Sequence, residues 1–183
     1  MLKVTKFGGS SMADAGQYRK VRDIVLVDPD RRVVIVSAAG KRFSADHKLT
    51  DLLYLCHAHI TYGVSCAEIV ESIRSRFVDI RDELGLEYNI EAEFDKLIPR
   101  LNKSMGVDEL VSRGEYLTAR LMAEYLGYSF VDAADVIHFG FDGHVDREKT
   151  YSAIKGAFEK HERILIPGFY GRLPGGKIRL MSR

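Results

Sequence analysis

Leu2-Lys3-Val4-Thr5-Lys6-Phe7-Gly8-Gly9-Ser10-Ser11 is the stretch around which the rest of the chain is read. Leu2, Val4 and Phe7 supply the apolar residues of a short strand, which runs straight into two glycines and two serines. Paired glycines at a strand end let the backbone adopt φ > 0 and approach a ligand with no Cβ in the way. Successive backbone N–H groups there, with the Ser10 and Ser11 hydroxyls, make a cradle for phosphate oxygens. Lys6 adds a point positive charge, which suits phosphoryl transfer, a reaction catalysed mainly by positioning and charge stabilisation. The stretch is neither a Walker A loop nor a G-x-G-x-x-G fingerprint. A lone Gly-Gly pair is more often an ordinary strand-to-helix turn, so at this point both readings stand.

Moving outward, Asp14 and Gln17 have capping-box spacing, and Tyr18, Val21, Ile24 and Val25 recur at helical intervals. Asp28-Pro29-Asp30 stops that helix. Asp14 near the helix start would repel a phosphate, so an anion here would rest on Lys6 and the Gly8–Ser10 backbone more than on the helix dipole. Residues 32–36 form a β-branched run of the kind buried on both faces of a parallel sheet, and they end in Ser37-Ala38-Ala39-Gly40. Strand, helix and strand make a right-handed βαβ unit whose two small-residue loops emerge at one sheet edge. Ligands of open α/β sheets bind at that edge.

A composition of 46% hydrophobic and 29% charged residues over 183 positions suits one globular domain or a large piece of one. The net charge of +1, with both signs spread along the chain, gives no nucleic-acid stripe and no membrane patch. No apolar run approaches the ~20 residues of a membrane span, and residues 1–11 lack a signal-peptide pattern. Cys56 and Cys66 form no Cys-x-x-Cys pair and are expected to be buried free thiols. The histidines have no ligand-like spacing.

Residues 41–48 are polar and expected to be mobile, and Thr50 can cap a helix carrying Leu52, Leu53, Cys56 and Ile60. Further helices are predicted over 64–85, over 91–105 with a break at Pro99, and over 147–160. Strands are predicted at 128–131 and 163–166, with a short edge strand at 136–139. Pro174-Gly175-Gly176 marks a hairpin tip. The helix over 107–126 is the informative one. Leu110, Leu117, Leu121 and Leu126 mark its inner face, and Glu115 lies on a second row with Val111, Ala119 and Met122. A carboxylate there is desolvated unless a cation meets it. Periodicity alone favours an ion pair with Arg113 or Arg120; the other reading is a ligand ammonium.

The string Lys6-Phe7-Gly8-Gly9-Ser10-Ser11 at the start of a chain resembles the signature of the aspartokinases, in the amino-acid kinase superfamily. Ser112-Arg113-Gly114-Glu115 resembles the aspartokinase segment whose glutamate receives the substrate's α-amino group, which favours the functional reading of Glu115. The resemblance covers essentially the whole chain. It implies an α/β fold, a three-layer αβα sandwich with a mainly parallel sheet, here incomplete. Residues 1–183 would be the N-terminal, amino-acid-binding lobe, without the nucleotide-binding half that opens with Gly-Gly-Ser-Asp and without the regulatory ACT domains.

The reaction so implied moves the γ-phosphoryl of ATP, carried with Mg2+, to the side-chain carboxylate of L-aspartate. The product, 4-phospho-L-aspartate, begins lysine, threonine and methionine biosynthesis. By resemblance Lys6 stabilises the transferring phosphoryl, and Gly8, Gly9 and Ser10 line the phosphate path. Ser37 and Thr50 help place aspartate, Glu115 takes its ammonium, and Arg183 receives a carboxylate in the bidentate manner arginine favours. The catalytic aspartate falls beyond Arg183, so the chain alone is expected to be inactive. A cytoplasmic homodimer or higher homo-oligomer is also implied. The rivals are a sister acetylglutamate, glutamate or uridylate kinase and, in another class, a non-catalytic binding or dimerisation module.

Overall fold

The computed structural model describes residues 1–181. The opening stretch forms β1 (Val4–Phe7), a 3₁₀ turn (Gly9–Met12) and α1 (Ala15–Leu26), followed by β2 (Val33–Val36). Four helices come next: α2 (Leu49–Tyr62), α3 (Ala67–Leu84), α4 (Ile90–Leu97) and α5 (Val107–Leu126). The chain then returns through β3 (Ser129–Phe130), α6 (Ala133–Val136), α7 (Arg147–Lys160) and β4 (Ile164–Pro167). It ends in an antiparallel hairpin of β5 (Tyr170–Arg172) and β6 (Ile178–Leu180). The main sheet is entirely parallel, in the order β1-β2-β4-β3.

Side-chain alternation along the strands splits the core into two layers. Val34, Val36 and Leu165 face one way and pack with Tyr18 of α1, Leu53 of α2, Phe77 of α3 and Leu117 of α5. Val33, Ile164 and Ile166 face the other way and meet α6 and α7 through Ala133, Val136, Ile154 and Phe158. Helices on both faces of a parallel sheet give the expected three layers. Each Leu or Phe fully buried in this way contributes about 1.5–3 kcal/mol. β1 is an edge strand, so Val4 is 59% exposed instead of filling the core.

Helix α5 is the hub. It packs against α1, α2, α3, β2, β3, β4 and β6, and both of its predicted inner rows are buried. Gly114 permits the close crossing with α2: a Cβ there would sit 3.0 Å from Leu53 and 3.1 Å from Ala38. Gly127, in the left-handed conformation at φ 68°, ends the helix.

Five local expectations are corrected. Residues 133–136 form a helical turn capped by Asp132, so the predicted edge strand at 136–139 reduces to single bridges from His138 to Arg172 and from Phe139 to Val145. Thr50 lies inside the first turn of α2, whose N-cap is Lys48. Only the Asp14 half of the predicted capping box is made, its carboxylate accepting from the Gln17 N–H at 2.9 Å. The polar segment 41–48 is anchored by a buried ion pair. Cys56 and Cys66 are both free thiols, but only Cys56 is buried; Cys66, at the start of α3, is half-buried.

Candidate active site

The loops after β1 and β2 lock together at the carboxyl edge of the sheet. Ser37 N–H donates to Phe7 O at 3.1 Å and Gly40 N–H to Gly9 O at 2.8 Å. A Cβ on Gly9 would lie 2.7 Å from Ala38 O, and one on Gly40 would lie 2.7 Å from Gly9 C and O. Glycine is therefore required here by backbone meeting backbone. The expectation of φ > 0 fails, since Gly8 sits at φ −79° and neither Gly9 nor Gly40 takes a positive φ. A Cβ on Gly8 would meet nothing within 4 Å, so that position faces open space.

Helix α5 fixes the second loop from below. Ala39 N–H donates to Thr118 Oγ1 at 3.2 Å, and that hydroxyl donates to Gly114 O at 2.8 Å. Tyr18 of α1 donates its phenol to Thr118 O at 3.1 Å, and burial pushes that phenol far above its ordinary pKa. Thr118 thus ties α1, α5 and residues 38–40 into one floor. Sequence reading missed it, because a threonine on a helix carries no distinguishing pattern.

Above this floor opens a cleft of about 790 Å³, lined by Lys6, Gly9, Ser10, Ser37, Thr50 and Glu115 among others. These six residues, scattered over more than a hundred positions, line one cleft. Gly8 stands beside the cleft without lining it, and Arg183 lies outside the described residues. Four further lining residues were not foreseen: Lys41, Lys48, Phe169 and Met181. Phe169 is the only non-glycine with positive φ among the described residues, at 73°. Such a conformation costs on the order of 1–2 kcal/mol and has no sequence signal.

Glu115 is 2% exposed. The ion pair with Arg113 or Arg120 is not formed. Arg113 lies over the Tyr116 ring at 4.5 Å, and Arg120 lies between the Tyr88 and Phe130 rings at 4.7 Å from each. Neither Lys6 nor Lys48 enters an ion pair with a described residue.

Segment 41–48 is held by Asp46, which is 7% exposed. Asp46 accepts from Arg42 N–H at 3.0 Å and from Arg42 Nε at 2.9 Å, and it pairs with Arg76 of α3. Arg76, 3% exposed, also donates to His47 O at 2.8 Å. Burial works against the Asp46 charge, but the Arg42 hydrogen bonds and the Arg76 guanidinium hold its carboxyl well below the usual carboxylate range. Elsewhere, burial and the neighbouring Cys66 thiol push the Cys56 thiol up to about 12. Among the described residues no three His, Cys, Asp or Glu side chains converge to hold a metal, and no helix is long and apolar enough to cross a membrane.

An open parallel α/β sheet with a cleft lined by lysines and glycines at its carboxyl edge defines an α/β protein whose cleft lies where ligands of such sheets bind. The model of the amino acid kinase family matches residues 1–181, and the chain belongs to that family. Aspartokinase 3 of Bacillus subtilis (strain 168) is 34% identical over 196 residues, a match covering 100% of this chain and 43% of the relative. The crystal structure of Clostridium acetobutylicum aspartate kinase superposes with a TM-score of 0.94 at 40% identity, covering 98% of this chain and 42% of that one. Escherichia coli aspartokinase III, solved with aspartate and ADP, shares the fold at a TM-score of 0.82 and 23% identity, covering 100% of this chain and 44% of that one. The chain therefore spans less than half the length of these relatives.

Proposed function

We propose that this chain is the amino-acid-binding lobe of an aspartate kinase, which transfers the γ-phosphoryl of ATP to the side-chain carboxylate of L-aspartate. The observation that carries the reading is the buried carboxylate of Glu115 in a cleft otherwise rimmed by Lys6, Lys41 and Lys48. One negative charge at depth and several positive charges at the mouth suit a substrate with one ammonium and two carboxylates that meets a polyphosphate. The aspartokinase relatives at 34% and 40% identity support the same substrate.

In this reading a carboxylate oxygen of aspartate attacks the γ-phosphorus, and the bond to the β,γ-bridging oxygen breaks to release ADP. The nucleophile is already ionised at neutral pH, so no general base is required. The task left to the protein is placement and charge. Glu115 accepts from the ammonium, while the Ser37 and Thr50 hydroxyls position the amino acid. Lys6 meets the charge that moves with the phosphoryl, and the backbone at Gly8, Gly9 and Ser10 borders its path. Mg2+ enters as part of the ATP complex. Arg183 would supply the carboxylate clamp, and sequence following residue 183 the nucleotide-binding half. A homo-oligomeric cytoplasmic enzyme at the head of lysine, threonine and methionine biosynthesis completes the proposal.

Glu115→Gln in the protein at its full natural length tests it. A charge-assisted hydrogen bond is worth about 1.5–3 kcal/mol, so aspartate affinity should fall roughly ten- to a hundredfold while ATP affinity barely moves. Unchanged aspartate affinity in the folded variant would remove Glu115 from the site.

A further inference from the structure

The segment between β2 and α2 places two lysines on the cleft, Lys41 and Lys48, at opposite ends of a loop that would otherwise be free to splay. The loop is held from its middle. Asp46 is buried and pairs with Arg76, itself buried in α3, and Arg76 also takes the carbonyl of His47, the residue directly before Lys48. Arg42 closes the other side on the same carboxylate, at 2.9 Å from Nε. A buried ion pair is weak evidence for stability, because desolvating both charges costs about as much as their attraction returns. Its better-attested use is to fix one geometry, and the geometry fixed here is that of the two lysines.

The lysines suit one kind of ligand. Both are exposed, and Lys48 forms no ion pair with a described residue; Lys41 makes only a 3.5 Å contact to Ser44 O. They stand at the mouth with Lys6, whereas the cleft's acidic group, Glu115, is at depth. The cleft, at about 790 Å³, lies within the ~300–1,000 Å³ typical of sites for drug-sized ligands, with room for more than an amino acid. Cations exposed at the mouth match a polyanion that extends outward. Lysine binds phosphate as a point charge, so it needs correct placement but no fixed fork.

We propose that Lys48, assisted by Lys41, binds the phosphate chain of the nucleoside triphosphate, and that Asp46 and Arg76 are positioning residues acting through it. The inference rests on the phosphotransferase reading above and adds to it a second cationic arm on the cleft that Lys6 also lines.

The test uses the protein at its full natural length, with two probes: MgATP in steady-state kinetics with aspartate, and inorganic tripolyphosphate in calorimetric binding. Lys48→Gln, at an exposed position, should fold normally and raise the KM for MgATP about five- to tenfold while the KM for aspartate stays within twofold. Lys48→Arg should restore most of the loss. Asp46→Asn should reproduce the Lys48→Gln shift, and the double variant should be no worse than either single one, because both remove the same contact. Tripolyphosphate affinity should fall in parallel. An unchanged MgATP KM and unchanged tripolyphosphate affinity in Lys48→Gln overturn the proposal, whatever Asp46→Asn does. Additive losses in the double variant overturn the positioning role. Failure of wild-type protein to phosphorylate aspartate would count against the functional reading alone, since tripolyphosphate binding still decides this one.

Discussion

Gly40→Ala is the substitution that puts most weight on the way the two loops interlock. The new Cβ would stand 2.7 Å from Gly9 C and O and 2.9 Å from Ser10 N, all of them backbone atoms that cannot swing aside. That is short of ordinary van der Waals contact by roughly 0.7 Å. Relief requires the two loops to part, which strains or breaks the 2.8 Å bond from Gly40 N–H to Gly9 O. Overpacking of this kind costs about 1–3 kcal/mol, and a lost hydrogen bond adds about 1. At roughly 2–4 °C per kcal/mol for a chain of this size, the melting temperature should drop by about 5–15 °C. Gly8→Ala is the internal control, because a Cβ there meets nothing within 4 Å and the backbone is already at φ −79°. It should melt within about 2 °C of the unsubstituted protein. Thermal unfolding followed by circular dichroism measures both. Equal melting temperatures for Gly40→Ala and Gly8→Ala would refute the argument that backbone contact, and not backbone conformation, demands these glycines.

The remaining predictions are independent of that contact. Because the folded Asp46 carboxyl is held below the unfolded value of about 3.9, its pairing stabilises above roughly pH 4 and is lost as the pH falls further. The melting-temperature gap between unsubstituted protein and Asp46→Asn, worth about 3–5 kcal/mol at neutral pH, should therefore narrow steadily as the pH falls below about 4; a gap at pH 2 as wide as the gap at pH 7 would show that the charge is not what stabilises. With its thiol pushed up to about 12, Cys56 should resist iodoacetamide at pH 8 in the folded protein and react once unfolded, as read by mass spectrometry. Equal labelling of Cys56 in both states would contradict its burial.

The elements legible in the sequence were those with long, uninterrupted periodicity or hard punctuation. The helices at 107–126 and 147–160 fall where the pattern put them, and α4 gives way after Leu97 to the 3₁₀ turn Ile98–Arg100, which contains Pro99. The misreadings are local ones that tertiary contacts decide. Residues 136–139 read as a strand from their apolar run, but Asp132 caps a helical turn at 133–136 and also accepts the Tyr170 phenol at 2.7 Å. The segment 41–48 read as mobile from its polarity, and no local signal announces that Asp46 meets an arginine thirty positions away on α3. The cleft's predicted lining came from the small-residue loops after the first two strands and, for Ser37, Thr50 and Glu115, from the resemblance to the aspartokinases. Lys41, Lys48, Phe169 and Thr118 were invisible because each acquires its role only when distant segments are brought together.

The fate of Glu115, by contrast, was more legible than periodicity alone allowed. Successive residues on an α-helix are about 100° apart, so Arg113 and Glu115 point in nearly opposite directions and cannot meet. Arg120, five positions on, is offset by more than a turn and points away as well. The structure follows this geometry: Arg113, Tyr116 and Arg120 share one stripe, where both guanidinium groups lie over aromatic rings and Tyr116 packs edge-on to Phe130 at 5.3 Å. Val111, Glu115, Ala119 and Met122 share the other, fully buried stripe. Both arginines are thus held over aromatic rings on the other stripe of α5, and among the described residues lining the cleft Glu115 is the only acidic one. A carboxylate built into an apolar stripe, with the arginines of its own helix turned elsewhere, is arranged to be met by positive charge from beyond its own helix, and in the proposed reaction the substrate's ammonium brings it.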